Sequence, residues 1–293
     1  MAQLKIRELS PSLGAEIEGF DPRAKIDDET WHLLSKTFDD RGVLVFRNID
    51  LDVAMQHHVV EVLYASGDLK RVDYEDRKLF STVSNTEPDG GSPYGRLLFH
   101  TDMMWADPDI ANQVPSLYAI EAQQPSTPTI FASTTRAWNT LPEALKARVK
   151  GLHARHQSGP QGRGNSPYEH ELIQPKWDKL NDTTTAIALP HPRTGAMMLY
   201  VGDQHTREIV ELPKDESDAL LDALYAHLYK TEVLLEHHWR TGDFVIWDNL
   251  AVQHARPNVL KDGPARTLRK IHAPSAQITM KKFGGGPTYA KAM

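Results

Sequence analysis

Residues Gly242-Asp243-Phe244-Val245-Ile246-Trp247-Asp248-Asn249-Leu250-Ala251-Val252-Gln253-His254 decide how the chain is built. The run from Phe244 to Trp247 has the length and the β-branched, aromatic content of a buried strand; Asp248-Asn249 supplies turn chemistry, and the next strand carries His254. Outward from this stretch, runs of the same kind recur at 42–46, 97–100, 117–120, 129–132 and 197–201. Helical spacing appears in three places. Asp27-Asp28 can cap a helix with Trp31, Leu34 and Phe38 on its apolar face, ending near Gly42; 51–63 looks similar; 216–229 aligns Leu220, Leu221, Leu224, Tyr225 and Leu228. Strands therefore outnumber helices without alternating with them as a doubly wound sheet requires, and a mainly β fold with flanking helices is expected.

Composition narrows the chemistry. The 293 residues are 40% hydrophobic and 25% charged, the balance of a compact globular chain, and no repeat or linker divides them, so one domain over 1–293 is expected. There is no Cys, which removes disulfide scaffolds, thiol nucleophiles and thiolate metal sites, whereas 14 His leave ample nitrogen ligands. A net charge of −6 offers no drive toward a phosphate backbone, so no nucleic-acid partner is expected. The first residues lack the apolar core of a signal peptide and no stretch reaches the length of a membrane span, making the cytoplasm the expected location. Gly-, Pro- and Ser-rich stretches at 84–95 and 158–182 read as active-site loops, 190–195 as a turn, and 276–293 as a loosely ordered tail.

Leu97-Leu98-Phe99-His100-Thr101-Asp102 ends a strand with His and Asp two residues apart, and strand alternation would point both side chains the same way, able to grip one ion. By itself the triplet decides nothing, because a chain of this composition holds about one His-x-Asp by chance. His254 and Arg266 add to it. Two His and one carboxylate form a facial triad that leaves sites on ferrous iron open, and an Arg fork suits a planar carboxylate.

The order His100-x-Asp102, Thr129, His254, Arg266, with 26 residues between Asp102 and Thr129 and 11 between His254 and Arg266, resembles the taurine dioxygenase/2,4-dichlorophenoxyacetate dioxygenase family. Leu13-Gly14-Ala15-Glu16-Ile17, Pro125-Ser126-Thr127, Tyr200-Val201-Gly202 and Trp247-Asp248-Asn249 extend the likeness over nearly the whole chain. The resemblance implies a double-stranded β-helix, or jelly roll, and an Fe(II)- and 2-oxoglutarate-dependent dioxygenase that consumes O2 and releases succinate and CO2. It implies that His100, Asp102 and His254 ligate iron, that Arg266 and Thr129 hold the distal carboxylate of 2-oxoglutarate, and that the protein forms homo-oligomers.

Departures from the family pattern concern the substrate. Sulfonate-using members carry a second Arg four residues after the 2-oxoglutarate Arg, where this chain has Lys270, and the His that contacts the sulfonate has no match in 66–73. Strand parity puts Arg266, Leu268 and Lys270 on one face and Arg269 on the other. Leu98 and Met104 add apolar bulk beside the metal pair, so Leu98, Met104 and Lys270 are the expected substrate contacts. The expected substrate is a small organic or natural-product skeleton less polar than taurine, most simply hydroxylated at a C–H bond. Alternatives are a sulfonate or aryloxyalkanoate dioxygenase whose hydroxylated product breaks down, a non-catalytic jelly roll that binds a small molecule, and a zinc hydrolase, which lacks a general base beside the ligands.

Overall fold

A computed structural model of the chain describes residues 4–64, 80–88, 90–158 and 181–273. Two short strands, β1 (Lys5–Glu8) and β2 (Ala15–Glu18), precede α1 (Asp28–Arg41), β3 (Val43–Phe46) and α2 (Val53–Tyr64). The side chain of Asp27 caps α1 by accepting from the Thr30 amide, as its sequence suggests. Gly42 ends the helix at φ 67°, and a Cβ there would stand 2.5 Å from Val252, so this turn admits only glycine.

Next come β4 (Ser81–Ser84), β5 (Gly95–His100), α3 (Pro108–Ala111), β6 (Val114–Ala122) and β7 (Thr129–Ser133). A peripheral group follows: α4 (Thr134–Thr140), α5 (Glu143–Val149), β8 (His153–Gln157), β9 (Asp182–Ala186), β10 (Ala188–Pro190), β11 (Met197–Leu199), β12 (Thr206–Ile209) and α6 (Lys214–Leu228). The chain closes through β13 (Leu235–His237), β14 (Phe244–Trp247), β15 (Val252–Val259) and β16 (Arg266–Ala273).

Among the described residues these strands build a seven-stranded sheet ordered β1-β2-β3-β14-β6-β16-β4 and a four-stranded sheet ordered β13-β7-β15-β5. One apolar cluster joins their facing sides, with Val45, Leu117, Trp247 and Leu268 from the larger sheet and Phe131, Leu235 and Val252 from the smaller. On the outer face of the larger sheet, Leu44, Phe46, Phe244 and Ile246 pack with Phe38 of α1 and Val59, Val60 and Leu63 of α2. Both faces of β3 and β14 are thus dry, which is why they read as unbroken apolar runs. The result is a mainly β jelly roll with helices outside. In a third cluster, Leu220, Leu221, Leu224 and Leu228 of α6 cover Ile209 of β12 and Ala137 of α4.

Of the two expected loops, 84–95 is largely described and is held in place. Ser84 Oγ accepts from the amides of Thr86 and Glu87, and buried Arg256 of β15 donates to the carbonyls of Ser92, Tyr94 and Gly95. Only Ser158, Asn181 and Asp182 of 158–182 belong to the described residues, and the tail 276–293 lies outside them. Turn 190–195 joins β10 to β11, with Gly195 at φ 72°.

Candidate active site

Two histidines meet because β15 pairs with β5 in the smaller sheet with His254 directly opposite His100. Their rings lie 4.1 Å apart between centroids, and Trp247 of the larger sheet packs 4.9 Å from His254, so both imidazoles occupy the space between the sheets. His100 Nδ1 donates to the Leu98 carbonyl at 2.8 Å, which fixes the tautomer and leaves Nε2 with its lone pair toward the cavity. Burial, then the neighbouring His100, holds His254 well below the ordinary imidazole range, so it is a neutral donor at pH 7.

Strand alternation does not place Asp102. β5 ends at His100, and a register shift between His254 and Arg256 marks an irregularity in the same ladder. Asp102 lies in the following turn, where Met103 adopts φ 61°, a left-handed conformation rare for a side-chain-bearing residue. What holds it is Asn249, in the turn after β14. The Asn249 Oδ1 accepts from the Asp102 amide at 2.9 Å, and Nδ2 donates to the carbonyls of Asp102 and Ala111 at 2.8 Å each. One ligand atom each of His100, His254 and Asp102 consequently falls within 4.8 Å of the other two, a group able to hold one metal ion. Burial opposes ionisation of Asp102, but Lys270 and the two histidines outweigh it, and the carboxyl sits well below the usual range. Two imidazoles and an ionised carboxylate, with no sulfur donor, suit ferrous iron.

The inner face of β16 supplies the rest. Leu268 joins the core between the sheets, Arg269 turns outward to Gln56 Oε1 at 2.7 Å and the Leu51 carbonyl, and Lys270 returns inward to Asp102 Oδ2 at 2.6 Å. The parity read from sequence is the parity found. Arg266, the next inward position back along β16, is 4% exposed, its guanidinium lies over the Trp239 ring, and among the described residues it forms no ion pair. Its Nε is buried without a hydrogen-bond partner. Burial, then the nearby Arg256, lowers its pKa to about 9, which still leaves it cationic at neutral pH. Trp239 Nε1 also donates to the Thr129 hydroxyl at 3.0 Å, so one indole touches both Thr129 and Arg266 and leaves the hydroxyl proton available to an incoming anion. A cavity of about 210 Å³ reaches Arg266 from the side of Thr127, Asn258 and Leu260.

Leu98 is buried beside His100, with its carbonyl spent on the ring. Met104 has no exposed surface and packs with Ala111, Met198, Tyr200 and Leu250. Sequence reasoning overlooked Trp239, Asn249 as the clamp on Asp102, and the pairing of Lys270 with Asp102. Asn249 reads as a turn residue and Trp239 belongs to no motif, and only the folded arrangement of distant segments shows what they grip.

A jelly roll with two His and one Asp converging between its sheets, and a buried Arg on the inner face of the adjoining strand without an ion-pair partner among the described residues, fits a mononuclear metal oxygenase. The sequence profile described as "Taurine catabolism dioxygenase TauD, TfdA family" matches residues 5–272, and the chain belongs to that family. It is 27% identical over 281 residues to pentalenolactone F synthase of Streptomyces avermitilis, with 89% of this chain and 90% of that protein covered. It is 24% identical over 269 residues to the alpha-ketoglutarate-dependent 2,4-dichlorophenoxyacetate dioxygenase of Cupriavidus pinatubonensis, with 84% and 89% covered. The crystal structure of a taurine dioxygenase from Burkholderia xenovorans shares the fold at a TM-score of 0.69 and 23% identity, over 91% of this chain and 89% of that one. The protein is therefore a 2-oxoglutarate-dependent dioxygenase with iron as its metal, acting on a small molecule, rather than a non-catalytic jelly roll or a zinc hydrolase. Among the described residues no helix is long and apolar enough to cross a membrane.

Proposed function

We propose that the chain, as one catalytic domain, hydroxylates a C–H bond of a small organic or natural-product substrate less polar than taurine. In this reading His100, Asp102 and His254 hold Fe(II), and Arg266 with Thr129 holds the distal carboxylate of 2-oxoglutarate. Once bound, iron would provide the site at which O2, the oxidant, reacts: one oxygen atom goes to the substrate C–H bond and the other to 2-oxoglutarate, which leaves as succinate and CO2. The chain's own residues bind and orient. His100 is held in one tautomer by Leu98, His254 is kept neutral by burial, and Asp102 is kept ionised at neutral pH. Arg266 and Thr129 fix the cosubstrate's far end, and Asn85 holds the main chain of Arg266 by accepting from its amide at 2.8 Å.

The observation that carries this reading is Arg266, a buried cation with no counter-ion among the described residues, on the same face of β16 as Lys270, which contacts Asp102. A dianionic cosubstrate satisfies that charge, as the zinc hydrolase alternative does not. Leu98 is the substrate contact we retain, since Met104 is sealed inside its own cluster. The name of the 2,4-dichlorophenoxyacetate relative supports the rival reading, an aryloxy acid as substrate.

A panel of sulfonates, aryloxy acids, amino acids and polycyclic natural products, scored by succinate release coupled to substrate loss, separates these readings. Coupled turnover of the neutral or weakly polar members is expected; coupling confined to sulfonates or aryloxy acids would overturn the substrate class. Asp102→Ala and His254→Ala are expected to abolish 2-oxoglutarate turnover even with added Fe(II). Turnover at the wild-type rate in either variant would remove that residue from the ligand set.

A further inference from the structure

The two oxygens of Asp102 are chemically equivalent, so something must decide how many of them a metal can use. Oδ1 lies 3.7 Å from His100 Nε2 and 4.0 Å from His254 Nε2, whereas Oδ2 lies 2.6 Å from Lys270 Nζ. The Asp102 main chain is already fixed on both sides by Asn249. With the backbone clamped, the remaining freedom is rotation of the carboxylate, and Lys270 is the group that removes it. The pair is not a surface ion pair of little consequence: side-chain exposure is 26% for Lys270 and 19% for Asp102. Lys270 itself is set by β16, between Leu268 in the core and Ile271 on the opposite, helix-covered face.

We propose that Lys270 is a positioning residue that makes Asp102 a one-oxygen ligand by occupying Oδ2, and so keeps open the metal position a second carboxylate oxygen would take. The proposal rests on the reading of His100, Asp102 and His254 as the ligand set. Carboxylates bind metal ions through one oxygen or two, and a carboxylate freed from an ammonium turns to whatever cation remains. A positive charge beside a divalent cation also repels it. Lys270 therefore weakens metal binding while preserving room for cosubstrate and dioxygen. The same contact gives Lys270 work other than gripping a substrate anion, because any anionic substrate group would compete with Asp102 for it.

The test uses the full chain loaded with Mn(II) in the absence of 2-oxoglutarate. Exchangeable waters on the ion are counted by oxygen-17 broadening of its electron paramagnetic resonance lines, and Mn(II) affinity is titrated in parallel. Wild type and Lys270→Arg are expected to show the same water count. Lys270→Met is expected to lose a water and to bind Mn(II) about tenfold more tightly or better. A melting curve of the metal-free variant establishes that it folds. If the methionine variant does not, Lys270→Ala with and without added ethylammonium replaces it, and the added amine is expected to restore the water. An unchanged water count on loss of the lysine ammonium overturns the proposal. Failure of the ligand reading itself looks different: Asp102→Ala and His254→Ala would then leave Mn(II) affinity at the wild-type value.

Discussion

Burying a guanidinium without a counter-ion costs several kcal/mol, and among the described residues Arg266 has none, at 4% exposure and with its Nε unpaired. Such a cost is tolerable only where a ligand removes it. Arg266→Met is thus expected to have opposite effects on stability and binding. The protein without metal or cosubstrate should become more stable by about 1–4 kcal/mol, while 2-oxoglutarate binding to the Mn(II) form weakens by about 2–5 kcal/mol. Urea unfolding and a 2-oxoglutarate titration read the two effects separately. A stabilised variant that still binds 2-oxoglutarate normally would mean that the anion Arg266 awaits is a different one. Thr129→Val should be milder, about 1 kcal/mol in 2-oxoglutarate affinity, because it removes one neutral hydroxyl that also accepts from Trp239.

Among the elements, the turn between β14 and β15 joins fold to site. Asp248 accepts from the amides of Leu250 and Ala251 at 3.0 Å each and shapes the turn, and this presents Asn249 to the segment after β5. Asn249 is fully buried and satisfies three backbone groups of a segment 138 to 147 residues away in sequence. Asn249→Ala should therefore destabilise the protein by about 3 kcal/mol and weaken Mn(II) binding by roughly 10–100-fold, since Asp102 loses its support. Unfolding curves and Mn(II) titration check both parts. A destabilised variant with unchanged Mn(II) affinity would reduce Asn249 to a structural residue. How legible each element was follows from its regularity. On β16 the inward order Arg266, Leu268, Lys270 could be read from sequence because the register irregularity with β6 falls on the partner, leaving Ile120 as the extra residue. On β5 the strand stops at His100, so the turn after it, and not strand alternation, brings Asp102 beside His100.

For the molecule as a whole, strands and helices with apolar faces were visible in the chain, while the order of strands in the two sheets was not, because it rests on contacts between distant segments. The three-stranded sheet β12-β8-β9 also escaped: His153–Gln157 and Asp182–Ala186 are too polar to show a buried face. Its centre is His156, fully buried, with Nδ1 3.0 Å from the Thr206 hydroxyl and Nε2 2.8 Å from the Thr185 hydroxyl, one contact to each neighbouring strand. Burial, assisted by Arg207, lowers its pKa to about 3. The sign of the pH effect follows. Above about pH 6.5 His156 is neutral in both folded and unfolded chains and contributes no pH dependence. Below that, the unfolded chain takes up a proton that the folded one refuses, so stability falls by about 1.4 kcal/mol per pH unit until the folded pKa is reached. Between about pH 6.5 and 5 this residue should remove about 2 kcal/mol. His156→Gln keeps polar atoms near both threonines without titrating, so the stability gap between wild type and variant should narrow by that amount over the interval. Urea unfolding of the metal-free proteins at the two pH values measures it. Parallel loss of stability in the two proteins would show that His156 accepts its proton within the folded sheet and that the threonine contacts survive the charge.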